Sequence, residues 1–216
     1  MLVALINRSV KAGLTAKGNT LFFNNQGVFL VGLFLSSLLA FIQFAYSSST
    51  NSLLLFTLGI LQTGVSISFL TKLISALIIS RIDGLRFNFL FSLVSGFILS
   101  LSTGFTFIET YSRISHPVDI QSWQAVLASA TVLGGNLLLV KLMLKIGWID
   151  LNTGSMKLSF SKLAGLSSLL FLSLLTIHFT DLYVLDTILA FLLGMPLLVL
   201  AAFITIDAYW KLIELL

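Results

Sequence analysis

Six apolar stretches, each long enough to cross a lipid bilayer, constrain this chain more than any other feature. A spanning helix needs about 20 mostly apolar residues, because roughly 30 Å of hydrocarbon is divided by a rise of about 1.5 Å per residue. The stretches cover residues 27–46, 53–80, 87–111, 123–148, 158–179 and 185–213. None carries the single polar stripe of a surface helix, and none alternates like a strand of a membrane barrel. Only 9% of the 216 residues are charged, against about 25% in a soluble domain. That is too few to solvate a globular surface, which excludes a soluble enzyme, a nucleic-acid binder and a disordered chain. The expected fold is an all-α membrane protein with six transmembrane helices.

The breaks between the stretches carry turn chemistry. Ser47, Ser48, Ser49, Thr50 and Asn51 form a polar turn that can cap the second helix. Arg81, Ile82, Asp83 and Gly84 form another, with Gly84 suited to a helix C-cap. Ser115, His116 and Pro117 stop the third helix, and residues 150–155 separate the fourth from the fifth. Orientation follows from the basic residues. With the N-terminus inside, ten of the twelve Lys and Arg fall on the inner side, Arg113 falls outside, and Lys72 lies within a span. The net charge of +4 therefore reads as topology, with both termini on the cytosolic or equivalent side.

Residues 1–26 form a separate basic arm ahead of a transmembrane domain at 27–216. The arm lacks acids, carries Arg8, Lys11 and Lys17, and spaces Leu2, Ile6, Val10 and Leu14 as a helix would. Two readings stay open. One is a mitochondrial-type address; the other is an interfacial helix on anionic lipid, with the three cations at headgroup level. With no cysteine there is no disulfide framework and no thiolate metal site, so cysteine usage does not reveal the compartment.

Polar residues inside an apolar bundle are functional candidates by default. Lys72, in the second span, either snorkels toward the inner side or stands as a buried cation that holds a partner's carboxylate or closes an ion path. Gln62 and Ser66, four apart, and Asn136, after Gly134 and Gly135, are candidates for hydrogen bonds between helices and for intramembrane anchors. Glu109 and Arg113 are spaced for a pair within one helix. Asp207, near the inner end of the last span, is expected to cap or pair locally. His178, Asp181 and Asp186 cluster near one loop, with His116 and Asp119 at another. They are either zinc-type ligands or the ordinary polar side chains of wet turns. No phosphate loop, HExxH or Ser/His/Asp set is present, so no enzyme is expected and no cofactor is implied.

The third span runs Arg86-Phe-Asn-Phe-Leu90, passes Ser95-Gly96, and ends Glu109-Thr-Tyr-Ser-Arg113-Ile-Ser-His-Pro117. This resembles the third transmembrane helix of the cation diffusion facilitator family. Asn136 in the fourth span, Asp186 at the start of the sixth, and the Ser48–Ser52 turn are similar to features of its zinc-transporter branch. The resemblance covers about residues 25–216 and implies a six-helix bundle with both termini inside. It also implies divalent metal–proton exchange through paired ligands on the second and fifth helices. Those ligand positions fall on Leu61 and Val65 and near Ser159 and Leu163, or one residue on, at Gln62 and Ser66 and at Phe160 and Ala164. No carboxylate or imidazole stands in either register. The loop after the fourth span lacks the family's histidines, and the chain ends at Leu216 without the family's soluble domain.

The expectation is therefore a non-transporting, transporter-like scaffold with a degenerate metal site. It would serve as an auxiliary or structural subunit of a larger membrane complex. Its partners would be other membrane protein subunits and anionic lipids, with no nucleic acid, and the family's homodimer is disfavoured. The mitochondrial inner membrane, in a respiratory or ATP-synthase assembly, is the first location considered, and another organelle membrane is the alternative. Two other functions compete: an active zinc–proton antiporter with an unusual site, and a silent partner of an active transporter.

Overall fold

The structure is a computed structural model that describes residues 26–78, 83–116, 118–145 and 160–214. Six helices account for nearly all of them, and there is no strand among the described residues. They are α1 (Gln26–Thr50), α2 (Leu53–Ile78), α3 (Asp83–Ser115), α4 (Ser122–Lys145), α5 (Phe160–Thr180) and α6 (Val184–Glu214). Arg8, Lys11, Lys17 and Ser159 lie outside the described residues. Lys72 falls in α2 and Leu163 in α5, and their side chains also lie outside the described set. Five helices are long and apolar enough to span a bilayer. The sixth, α5, offers the apolar stretch Ala164–Thr180, at the short end of what a span needs. The chain is thus all-α, with five to six long apolar helices, the architecture of an integral membrane protein.

Two boundaries differ from the sequence expectation. Ser47 to Thr50 belong to the last turn of α1 rather than to a loop, because hydroxyls there bond back into the helix. Thr50 Oγ1 and Ser49 Oγ both donate to the Tyr46 carbonyl, at 2.6 and 3.2 Å. Gly84 sits in the first turn of α3. Hydroxyl back-bonding also accounts for the many Ser and Thr inside the spans. Thr57, Thr63, Ser66, Thr103 and Thr205 each donate to the carbonyl four residues earlier, so these five donors are not left bare in an apolar setting, whereas the buried Thr110 hydroxyl has no partner among the described residues. Pro196 lies inside α6 without ending it.

One helix organises the rest. In α2, 72% of the span is buried, and no other span exceeds 44%. On one side α2 joins α1, α4 and α5 in the main core, through Leu54, Leu58, Leu61, Val65 and Phe69 against Leu39, Leu139, Leu170 and Leu174. On the other side Ile60 meets Leu99 of α3 and Ala201 of α6. Hydrocarbon tails are as apolar as leucine, so helices associate in lipid through close contact rather than through hydrophobic gain. Small residues supply that contact. Gly32 lies against the Phe69 ring and Gly59 against the Phe44 ring, which fixes α1 on α2. Gly135 lies against Leu39, fixing α4 on α1, and Gly96 lies against Thr205 and Ala201, fixing α3 on α6.

The outer surface matches a bilayer. Leu30, Phe34 and Phe41 of α1, Phe97, Leu101 and Ile108 of α3, and Val199 and Phe203 of α6 are all exposed. Exposed Tyr46, Tyr111 and Trp123 ring one end, and exposed Tyr209 and Trp210 mark the other. The Gly96–Thr205 and Gly194–Phe107 contacts set Tyr111 level with about residue 188 of α6, about 32 Å from Tyr209 at 1.5 Å per residue, within the span of hydrocarbon plus interface where aromatic belts collect.

Candidate functional site

The short segments 51–52, 118–121 and 181–183 meet at one end of the bundle, and polar groups there join helices distant in sequence. Asn51 takes a left-handed backbone (φ 60°), which ends α1 sharply. Ser52 then caps α2: its Oγ accepts the Leu55 N–H at 3.2 Å, as an N-cap hydroxyl should. That hydroxyl donates in turn to Asp186 Oδ1 at 2.6 Å. The second carboxylate oxygen of Asp186 accepts the N–H groups of Leu53 at 2.7 Å and Leu54 at 3.3 Å. Asp186 is wholly buried. A helix N-terminus carries partial positive charge and unpaired N–H groups, so a carboxylate placed there is favoured. The first turn of α6 thus completes the cap of α2.

Around this latch, the Gln121 N–H donates to the Thr50 carbonyl at 3.0 Å, and Asn51 Nδ2 donates to the Asp119 carbonyl at 3.4 Å. Arg113 pairs with Glu109 at 2.9 Å and donates through Nη1 to the Asn51 carbonyl. On the far side, Ser122 Oγ lies 2.9 Å from His178 Nδ1, and the Trp123 ring lies 5.5 Å from the imidazole. Asp181, with φ 54°, ends α5 and accepts the Tyr183 hydroxyl at 3.2 Å. That bond and the neighbouring negative charge raise the Tyr183 phenol above its ordinary pKa.

His178, Asp181 and Asp186 are therefore not a cluster. The first turns to α4, the second to Tyr183, and the third into the core beneath α2. Their sequence proximity is lost because the α5–α6 turn points the three side chains in different directions. Asp186 is not a wet-loop residue either. Among the described residues, no three His, Cys, Asp or Glu side chains are grouped to hold a metal ion. At the opposite end, Lys211 pairs with Asp207 at 2.7 Å within α6.

Deeper in the bundle, the α2 positions to which the family resemblance assigns ligands are hydrocarbon in one register, Leu61 and Val65, and neutral polar groups in the other, Gln62 and Ser66. Leu61 and Val65 are buried in the main core. Ser66 donates to its own helix at the Gln62 carbonyl rather than to a neighbour, because that acceptor is always within reach. Asn136 does reach across, its Nδ2 donating to Ser167 Oγ of α5 at 2.6 Å. Three buried amide atoms have no hydrogen-bond partner among the described residues: Gln43 Oε1, Gln62 Nε2 and Asn136 Oδ1. Sequence reasoning passed over Gln43. Its signal was an amide in an apolar helix, two turns beyond Ser36 and so on the same face.

Chemically, the buried layer offers neutral amides and hydroxyls. These can bind water or another neutral hydrogen-bonding group, but they do not offset the dehydration of a divalent cation. A scan against protein-family models finds no match to this chain, and a search of curated proteins finds no relative.

Proposed function

We propose that this protein is a non-transporting, non-enzymatic membrane scaffold with a cation-diffusion-facilitator-like bundle, acting as an auxiliary subunit of a larger membrane complex. The observation that carries the reading is the burial of Leu61 and Val65 in the core of α2, at positions where a transporter of that type needs charged ligands. Hydrocarbon there leaves a metal ion no compensation for its lost hydration shell. Two further features support it. The central helix is enclosed on both sides, and the exposed apolar faces of α1, α3 and α6 are free to meet lipid or other membrane helices.

On this reading both termini face the cytosolic or matrix-equivalent side. The basic arm, through Arg8, Lys11 and Lys17, meets anionic lipid or a neighbouring subunit, and Lys72 serves as an intramembrane anchor. The mitochondrial inner membrane is the first membrane to examine. Reconstitution into vesicles with a zinc-sensitive dye tests the central point. No saturable, pH-coupled zinc uptake is expected, and uptake above that of empty vesicles would restore the antiporter. Purification in mild detergent tests the other half: stoichiometric co-purification of other membrane subunits is expected, and recovery of the chain alone counts against a subunit role.

A further inference from the structure

Gln43, Gln62 and Asn136 come from three helices, and each lies on the centre line of its own helix's buried face. Gln43 is seven residues beyond buried Ser36, Gln62 lies seven residues from both Leu55 and Phe69, and Asn136 is seven beyond Ser129. Seven residues are about two turns, so each amide faces the same way as its buried partners. All three side chains are 1% exposed.

The packing contacts bring them to neighbouring levels. Phe44 beside Gly59 and Phe69 beside Gly32 set the antiparallel register of α1 and α2. Interpolation places Gln62 level with about residue 40 of α1. Leu39 beside Gly135 places Asn136 level with about residue 38. Gln43 then stands closer to the Asp186 end, by about 5 Å from the level of Gln62 and by about 7–8 Å from that of Asn136. Side chains lean toward the N-terminus of their own helix. For α1 that lean carries Gln43 away from the Asp186 end. For α2 and α4, which run the other way, it carries Gln62 and Asn136 toward that end. Along the bundle axis the three amides therefore lean toward a common level.

Their unpartnered atoms are two acceptors, Gln43 Oε1 and Asn136 Oδ1, and one donor, Gln62 Nε2. We propose that these three amides form a binding site for one buried water molecule inside the α1–α2–α4 core. The water donates to the two carbonyl oxygens and accepts from the Gln62 amide. A single water has two donors and room for an acceptor bond, and buried waters commonly make about three bonds of this kind. Paired in this way, these three buried atoms do not face hydrocarbon bare, which is the costly alternative in lipid. The site does not depend on whether the protein transports anything.

Water-selective NMR on side-chain-amide-labelled protein in lipid nanodiscs tests the proposal. Water cross-peaks are expected at the side-chain amides of both Gln62 and Asn136, and Gln43→Met should weaken the one at Gln62. The absence of water cross-peaks, or an unchanged Gln62 peak in Gln43→Met, overturns the shared site. Thermal unfolding gives a second reading. Gln43→Met, Gln62→Met and Asn136→Leu should each lower the Tm by several degrees, and the triple variant by less than their sum. Additive shifts overturn the proposal. Should a variant fail to fold, the wild-type cross-peaks alone decide.

Discussion

The Asp186 carboxylate accepts the Ser52 hydroxyl at 2.6 Å across 134 positions of sequence, so α6 holds the N-terminus of α2. Replacing Asp186 with Ala strands that hydroxyl and the N–H groups of Leu53 and Leu54 in a buried place. A loss on the order of 3 kcal/mol in unfolding free energy is expected in detergent. Ser52→Ala removes only the cap hydroxyl and should cost about 1 kcal/mol. Equal, small effects from both changes would show that the latch carries no stability.

Gly96 and Gly104 make a matched pair on α3. A methyl group at Gly96 would collide with Thr205 Oγ1 and come within 3.1 Å of Ala201 O and Thr205 N, which are backbone atoms of α6 that cannot swing aside. Gly96→Ala should destabilise by about 1–3 kcal/mol. Nothing lies within 4 Å of the same atom at Gly104, so Gly104→Ala should be neutral or gain up to about 1 kcal/mol from helix propensity. Thermal melts of the two variants, run side by side, should move in opposite directions or at least differ clearly.

Tyr183 gives a pH-dependent signature outside the membrane. Its protonated hydroxyl donates to Asp181, and ionising it would set two anions side by side, which raises its pKa. The stabilising contribution of this bond is fully present below the ordinary phenol pKa and is lost as the pH rises from there through the raised value. In an ultraviolet titration, Asp181→Asn should bring one tyrosine to a lower pH and leave the others in place. An unchanged titration would mean that the bond does not persist in solution.

The chain has no cysteine, so single introduced thiols report topology without background. Ser49 and Lys141 are both exposed, near opposite ends of the bundle. With both termini inside, an impermeant maleimide applied from outside should label Ser49→Cys and spare Lys141→Cys. The reverse pattern would invert the proposed orientation.

Most of the fold was legible because its signal is local: apolar run length placed all six helices to within a few residues. The Glu109–Arg113 pair was legible for the same reason, since one turn of helix contains both partners. The Ser47–Thr50 segment misled because serine and threonine in a row read as a loop. In an apolar setting their hydroxyls bond back to the helix instead. The role of Asp186 was not legible at all. A carboxylate beside a turn looks solvated until the helix end it serves, far away in sequence, is brought against it. Gln43 was hidden for a related reason: one amide among phenylalanines and leucines gains meaning only beside Gln62 and Asn136.

The latch between α6 and α2 also has a consequence in time. Leu53 and Leu54 leave the ribosome long before Asp186, and at about 5–20 residues per second the interval is roughly 7–27 s. Throughout that interval the N–H groups of Leu53 and Leu54 lack their carboxylate acceptor, and only the Ser52 hydroxyl caps the most enclosed helix. The membrane-inserted nascent chain therefore stays open at this end until α6 arrives.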